Sequence, residues 1–348
     1  MVELALLISQ PTLKMALMPK IGVLGAGHLG KIHLKLLQQI EQWELIGFYD
    51  PDAAKSLETA REMNLKAFDS PDALLEACEA VDIVTPTMNH FACAQMALER
   101  KMPFFVEKPL TNTVEEAALL VQKVKEAGVV AQVGHVERFN PAFQAATQFA
   151  LAPKFIEGHR LSTYNPRGTD VSVVLDLMIH DLDIILSLID APVRHISASG
   201  VPVISDSPDI ANARIEFENG AVANLTASRV SMKKMRKMRM FQRNAYITID
   251  FLDREFQHIG IRELAGDEAP SEALLSTVLD PGDGKPRKEI VMQIPAVPEG
   301  NALKSELEAF HKAFSENTRP QVNIEDGFRS LELAHRILST IEAQPFQV

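Results

Sequence analysis

Ile21-Gly22-Val23-Leu24-Gly25-Ala26-Gly27-His28-Leu29-Gly30 reads as a short apolar strand, a tight glycine turn and the opening of a helix. Gly25 permits the turn, Gly27 lets backbone approach a pyrophosphate, and Gly30 allows close packing of helix on sheet. The helix N-terminus then offers phosphates free N–H groups and a favourable dipole, so His28 and Leu29 join the three glycines as a candidate cofactor cradle. Glycine turns are common, but this one has the strand–turn–helix context and, 20 residues beyond Gly30, Asp50 at the end of the next apolar run. A carboxylate there accepts hydrogen bonds from the adenosine ribose hydroxyls and repels a 2′-phosphate, which favours NAD over NADP. The competing reading is that Asp50 merely caps the helix after Pro51.

Outward from this turn, residues 20 to about 139 alternate short β-rich runs with amphipathic helical stretches. Strands are expected at 21–24, 45–49, 66–68, 81–84, 104–106 and 129–133. Their near-continuous apolar character suits parallel strands buried on both faces. Ser70-Pro71 places an N-cap before a proline at the first helical position, Thr113 and Glu116 form a capping box, and Gly128 follows a last turn. Six strands with helical crossovers make a doubly wound parallel sheet, an α/β Rossmann domain.

After Asn140-Pro141 the rhythm changes. A helix is expected over 143–150, then a strand, a loop at 165–170 and a second helix over 173–189. Strands dominate next, at 195–203, 211–217, 221–228, 235–243 and 246–251, with Glu218-Asn219-Gly220 as a hairpin turn. Consecutive strands with few helices imply a mostly antiparallel open sheet, so this half is α+β. Residues 260–288, rich in Gly, Pro and charge, receive no assignment; helices return at 302–315 and 326–342. The organisation expected is an extension over 1–19, a dinucleotide-binding domain over 20–140 and a substrate-binding and oligomerisation domain over 141–348.

The length of 348 residues agrees with two domains of roughly 150 residues each. No apolar run approaches the ~18 residues of a membrane span, and Glu3 stands where a signal peptide would be basic. Cys78 and Cys93 form neither a CxxC nor a disulfide framework, which fits a reducing, cytoplasmic setting. A net charge of −11 argues against a nucleic-acid partner.

Three further segments carry candidate chemistry. Thr85-Pro86-Thr87 through His90 follows the strand at 81–84, at the sheet edge where open α/β folds hold ligands. These side chains can touch the cofactor, or Thr87 or Asn89 can cap the next helix. Glu107-Lys108-Pro109 delivers a lysine to the same edge, where an ammonium can steady a substrate oxygen as charge builds on it; a surface lysine is the plainer alternative. Asp176, His180 and Asp183, at spacings of four and three, share one face of a largely apolar helix. A buried histidine beside a carboxylate suits proton transfer near neutral pH. A satisfied core histidine and a metal site compete with that reading, and with no supporting His/Cys cluster no metal is expected. Residues 229–243 hold seven basic side chains and no acidic one. They form either a solvated strand packed through Met238, Met240 and Phe241, or a diphosphate site using Lys234, Arg236, Arg239 or Arg243 in this pocket or a neighbour's.

Residues 25–30, 85–90, 107–109 and the Asp176…His180 helix, in that order and spacing, resemble the glucose–fructose oxidoreductase / inositol dehydrogenase / rhizopine-catabolism (Gfo/Idh/MocA) family. The resemblance runs over nearly the whole chain from Lys20. It implies that Lys108 and His180 line the substrate site beside the nicotinamide, that Asp176 contacts substrate, and that the open sheet is buried against another subunit in a homodimer or homotetramer. One departure is Thr169-Asp170-Val171-Ser172, where the family usually has a glycine-rich stretch. Within the family, residues 134–141, which include Arg138, and 175–186 are similar to UDP-N-acetylglucosamine 3-dehydrogenases. The function implied is NAD-dependent hydride transfer at a secondary alcohol or ketone of a sugar, a nucleotide sugar above all. In that scheme His180 takes the hydroxyl proton, Lys108 steadies the oxygen, Asp176 orients His180, Glu107 and Lys108 border the cofactor, and Arg138, Arg236 and Arg239 contact substrate. A free-sugar or polyol dehydrogenase, a hydrolase with tightly held NAD and a non-catalytic NAD-sensing regulator on the same fold are the alternatives.

Overall fold

The computed structural model describes residues 18–165, 171–265, 268–271 and 275–343. Thr169, Asp170 and residues 1–17 of the expected extension lie outside them. The glycine turn leaves β1 (Lys20–Leu24), which with β2 (Glu44–Tyr49), β3 (Ala80–Ile83), β4 (Phe104–Glu107) and β5 (Ala131–Gly134) forms a parallel sheet ordered β2-β1-β3-β4-β5. The run at 66–68 is a correction: it makes a single bridge, Phe48 to Ala67, rather than a sixth strand. Two backbone hydrogen bonds hold it, and Ser70-Pro71 then turns the chain away into a helix.

Helices α1 (His28–Leu37), α2 (Ala53–Met63), α3 (Pro71–Ala77), α4 (His90–Glu99) and α5 (Val114–Ala127) complete this unit. The caps follow the chemistry of their residues. Ser70 Oγ accepts from Ala73 N, Thr113 and Glu116 close a capping box, and Gly128 ends α5 in the left-handed region. The strand order reverses between β1 and β3, so their carboxyl ends flank the crevice where such sheets hold ligands.

The second unit has α6 (Pro141–Ala146), β6 (Phe155–Leu161), a π turn over Val174–Met178 that runs into α7 (Ile179–Leu188), and then strands β7 (Val193–Val201), β8 (Ile210–Phe217), β9 (Val222–Ser228), β10 (Met235–Gln242) and β11 (Ala245–Asp250). The unassigned stretch runs from the end of β12 (Glu255–Glu263) through β13 (Ser276–Leu279) to the start of β14 (Lys288–Gln293), strands of mixed polar and apolar residues, mostly half-buried, without the strict apolar alternation of a one-sided strand. The nine strands form one sheet, β13-β14-β12-β11-β10-β6-β9-β8-β7, antiparallel except between β6 and β9. Its core is one-sided: Ile156, Leu225, Met238 and Ile249 meet Met178, Leu182 and Ile337 from the helices. On the opposite face the rings of Phe155, Phe241 and Tyr246 meet at tilted angles across three strands, beside a polar register of Arg239, Glu157, Asn224 and Arg214.

The chain ends in α8 (Ala302–Glu316) and α9 (Ile324–Glu342). Leu307, Phe310 and Ala313 of α8 return to the parallel sheet, joining Trp43, Ile21 and Phe105 in its core. Between the helices, Val322 O accepts from Val133 N and a bridge joins Gln132 to Asn323, covering the edge of β5.

Candidate active site

Each glycine of the first turn has a separate physical reason. Gly25 sits at φ +100°, and a Cβ there would lie 2.6 Å from Val84 O; one on Gly30 would lie 2.2 Å from Gly25 O. Gly27 faces open space and is the N-cap of α1 with no side-chain hydrogen bond, so the first-turn N–H groups stay available. Gly27, His28 and Leu29 are exposed. Asp50 Oδ2 accepts from Ala26 N at 2.8 Å and Oδ1 from Asp52 N at 3.0 Å, tying the end of β2 to the glycine turn. Asp52, rather than Asp50, caps α2 by accepting from Lys55 N. Uncapped N–H donors, a glycine-lined opening and an accepting carboxylate at the second strand end are the groups a dinucleotide requires.

Thr85 and Thr87 lie at the end of β3, and the Thr85 hydroxyl is buried with no partner among the described residues. Neither Thr87 nor Asn89 makes a side-chain cap to α4. Two residues expected at the cofactor have their side chains engaged within the protein. His90 is fully buried with Nδ1 at 2.9 Å from Pro109 O and Nε2 at 2.9 Å from Thr85 O, so it ties the threonine turn to the lysine turn. Glu107 is buried beneath its own loop, Oε1 on His33 and Oε2 accepting from Lys108 N at 3.0 Å.

Lys108 reaches across to the second unit. Its Nζ donates to Asp176 O at 2.9 Å and lies 3.5 Å from Asp176 Oδ1. The π turn carrying Asp176 alters the α-helical advance on which the common-face argument rests. As a result Asp176 pairs with Lys108, and no bond joins it to His180. Asp183 is also drawn away: Arg138 Nε donates to it at 3.0 Å, with Asp326 3.6 Å from the same guanidinium, so Arg138 is held between α7 and α9. Burial pushes the Asp183 carboxyl up to about 7.

His180 is partly exposed, and its Nδ1 is buried without a partner among the described residues. Burial holds its pKa well below the ordinary imidazole value, helped by the charges of Lys108 and Arg160 and, further down, Arg236. The ring is therefore neutral at pH 7, the form that accepts a proton. Beside it lies a network absent from the sequence expectations. Arg160 is buried, bidentate to Asp181 at 2.8 and 3.1 Å and 2.7 Å from Glu137 Oε1. Arg236 stands directly across from Arg160 in the β6–β10 register, 3.6 Å from the same Glu137 oxygen, and half exposed. Arg239 lies on the other face of the sheet, 3.8 Å from Glu157, so the pleat separates it from His180. His135 is buried too, Nε2 at 2.9 Å from Ser330 Oγ, and burial pushes it down to about 3.

A glycine turn of dinucleotide-binding form, a lysine at the same edge of the parallel sheet and a neutral histidine brought by the second unit are the parts of a nicotinamide-dependent oxidoreductase. The chain belongs to the Gfo/Idh/MocA family: the model of its NAD-binding Rossmann-fold domain matches residues 19–135, and that of its C-terminal domain residues 122–247. It is 40% identical over 272 residues to the UDP-N-acetylglucosamine 3-dehydrogenase of Acidithiobacillus ferrooxidans, covering 74% of this chain and 86% of that protein. The solved structure of that enzyme superposes with a TM-score of 0.82 over 93% of this chain and 98% of that one, at 34% identity. The NAD(+)-dependent scyllo-inositol 2-dehydrogenase of Bacillus subtilis is 34% identical over 228 residues, 60% of this chain and 67% of that protein. Among the described residues no helix is long and apolar enough to cross a membrane.

Proposed function

We propose that this enzyme uses NAD to oxidise, or in reverse regenerate, a secondary alcohol on a nucleotide sugar of the UDP-N-acetylglucosamine type. The observation that carries the reading is the meeting of Lys108 Nζ with the Asp176–His180 segment at the carboxyl edge of the parallel sheet. Bound NAD would supply the hydride acceptor. His180 accepts the hydroxyl proton, Lys108 donates a hydrogen bond to the same oxygen, and Asp176 holds the lysine in place. Arg236 supports the nucleotide-sugar class, being a half-exposed guanidinium on the histidine's side of the sheet, suited to a diphosphate. The similarity to a UDP-N-acetylglucosamine 3-dehydrogenase points the same way. NADH formation with UDP-N-acetylglucosamine, free N-acetylglucosamine and inositols tests it directly. Preference for a free sugar or polyol would overturn the substrate class, and NADH formation with none of these compounds would overturn the proposed reaction.

Arg236→Ala is expected to raise KM for the nucleotide sugar about tenfold, the worth of one charge-assisted hydrogen bond, with kcat less affected. Arg239→Ala, on the far face, should leave KM unchanged. Equal effects of the two would show that the pleat does not sort them.

The NAD preference rests on Asp50. Asp50→Ser is expected to reduce the NAD-over-NADP ratio of kcat/KM by about tenfold, because it removes both the ribose acceptor and the repulsion of a 2′-phosphate. It should weaken NAD itself as well, since the Ala26 N–H loses its acceptor. Equal kcat/KM for both cofactors in the unaltered enzyme would contradict the assignment.

The open sheet face suits a second copy of the chain, in a homodimer or homotetramer centred on Phe155, Phe241 and Tyr246. Sedimentation at micromolar concentration should give an oligomer that Phe241→Glu dissociates; a stable monomer would rule it out.

A further inference from the structure

His33 enters α1 three residues beyond Gly30 and is fully buried. Its Nδ1 lies 2.8 Å from Asp82 Oδ2 on β3 and its Nε2 3.1 Å from Glu107 Oε1 on β4. Burial raises the Asp82 carboxyl while His33 opposes that rise, and Glu107 is held below its ordinary value. With both carboxyls ionised each only accepts, and holding both takes an N–H on each ring nitrogen, the imidazolium. Burial opposes that charge, but the two carboxylates outweigh it and hold the pKa well above the ordinary imidazole value. Glu306 of α8 faces the same cluster with both oxygens buried and unpartnered among the described residues. Burial and the neighbouring Glu107 keep it protonated.

The cluster does not end in the core. The second oxygen of Glu107 accepts from the backbone N–H of Lys108. Gly134 of β5 makes the room: a Cβ there would lie 2.9 Å from Glu107 Cδ and Oε2. One helix thus presents its N-terminus to the cofactor crevice and, one turn later, a cation that fixes the loop carrying the lysine.

We propose that His33 is a positioning residue for the dehydrogenation: it clamps Asp82 to Glu107 and, through Glu107, sets the Lys108 turn relative to the dinucleotide-binding helix. The proposal rests on the reading that Lys108 acts on the substrate oxygen. No hydrogen bond links His33 to Lys108 Nζ or to His180, so its action is geometric, and small misplacements of a reacting group cost up to about 10²-fold.

The test is a double-mutant cycle of His33→Gln with Lys108→Ala. A glutamine presents one donor and one acceptor, so its carbonyl faces a carboxylate and the clamp opens. In the parent enzyme His33→Gln is expected to lower kcat on the order of tenfold to a hundredfold, with the Kd of NADH, read by its fluorescence, unchanged. In the Lys108→Ala enzyme the same change should lower kcat no further. Adding Glu107→Gln to His33→Gln restores an amide pair and should recover part of kcat. Additive losses in the cycle, or an NADH affinity that falls in step with kcat, would overturn the proposal and leave His33 a core residue. Near-normal turnover of Lys108→Ala alone would remove the premise, an outcome distinct from additivity. Should His33→Gln fail to fold, Glu107→Ala, which frees the Lys108 N–H, goes through the same cycle with the same expectations.

Discussion

His180→Ala is expected to lower kcat by about 10²-fold or more, the usual contribution of a positioned general base, with NADH affinity unchanged because the glycine turn lies elsewhere. The electrostatics sharpen this into a pH prediction. Burial and the neighbouring cations disfavour the imidazolium, so the base form persists as pH falls. The acid limb of kcat/KM should therefore lie well below pH 6.5, where an ordinary histidine would place it. Removing a neighbouring positive charge raises the His180 pKa, so Arg236→Ala should move that limb to higher pH. A limb at the ordinary histidine position, or near-normal turnover of His180→Ala, would return the residue to core packing.

Lys108→Ala should cost a comparable factor, about 10²-fold in kcat, if its ammonium steadies the oxygen as hydride departs. Single-turnover measurements at saturating NAD check that the loss lies in the chemical step. The substitution also removes the second-largest influence holding His180 neutral, so the acid limb should rise with it. A change confined to KM would make Lys108 a binding residue only.

Much of the fold was legible because its signals are local. A glycine turn between an apolar strand and a helix, a capping box at Thr113 and a glycine at 128 each state their own geometry. Strands β12 to β14, at the β13 end of the larger sheet, were not, since their mixed polar and apolar residues, mostly half-buried, carry little strict alternation. The site divides in the same way. Lys108 and His180 stood out by position, whereas the π turn that swings Asp176 to Lys108 leaves no mark in a four-residue spacing. Arg239 and Arg236 were equivalent as members of a basic run; their faces followed only from the register of β10 against β6. Two signals were present and unused. His33 interrupts the apolar stripe of α1 beside Leu34 and Leu37, and Arg160 stands at a core-facing position of β6, two residues from Gly158. A charge on a buried stripe demands a partner, and both have one.

The return of α8 also bears on how the chain folds as it leaves the ribosome. When the first 140 residues have emerged, the surface around Trp43 and Phe105 still awaits Phe310, and the β5 edge awaits Val322. A nascent Rossmann unit is therefore incomplete until synthesis has passed Val322, and its closing contacts join residues more than 180 positions apart. Such long closures slow folding and leave apolar surface exposed in the interval. The parallel-sheet unit reaches its final core only when the unit built on the nine-stranded sheet has been made, so the order of translation itself couples the two.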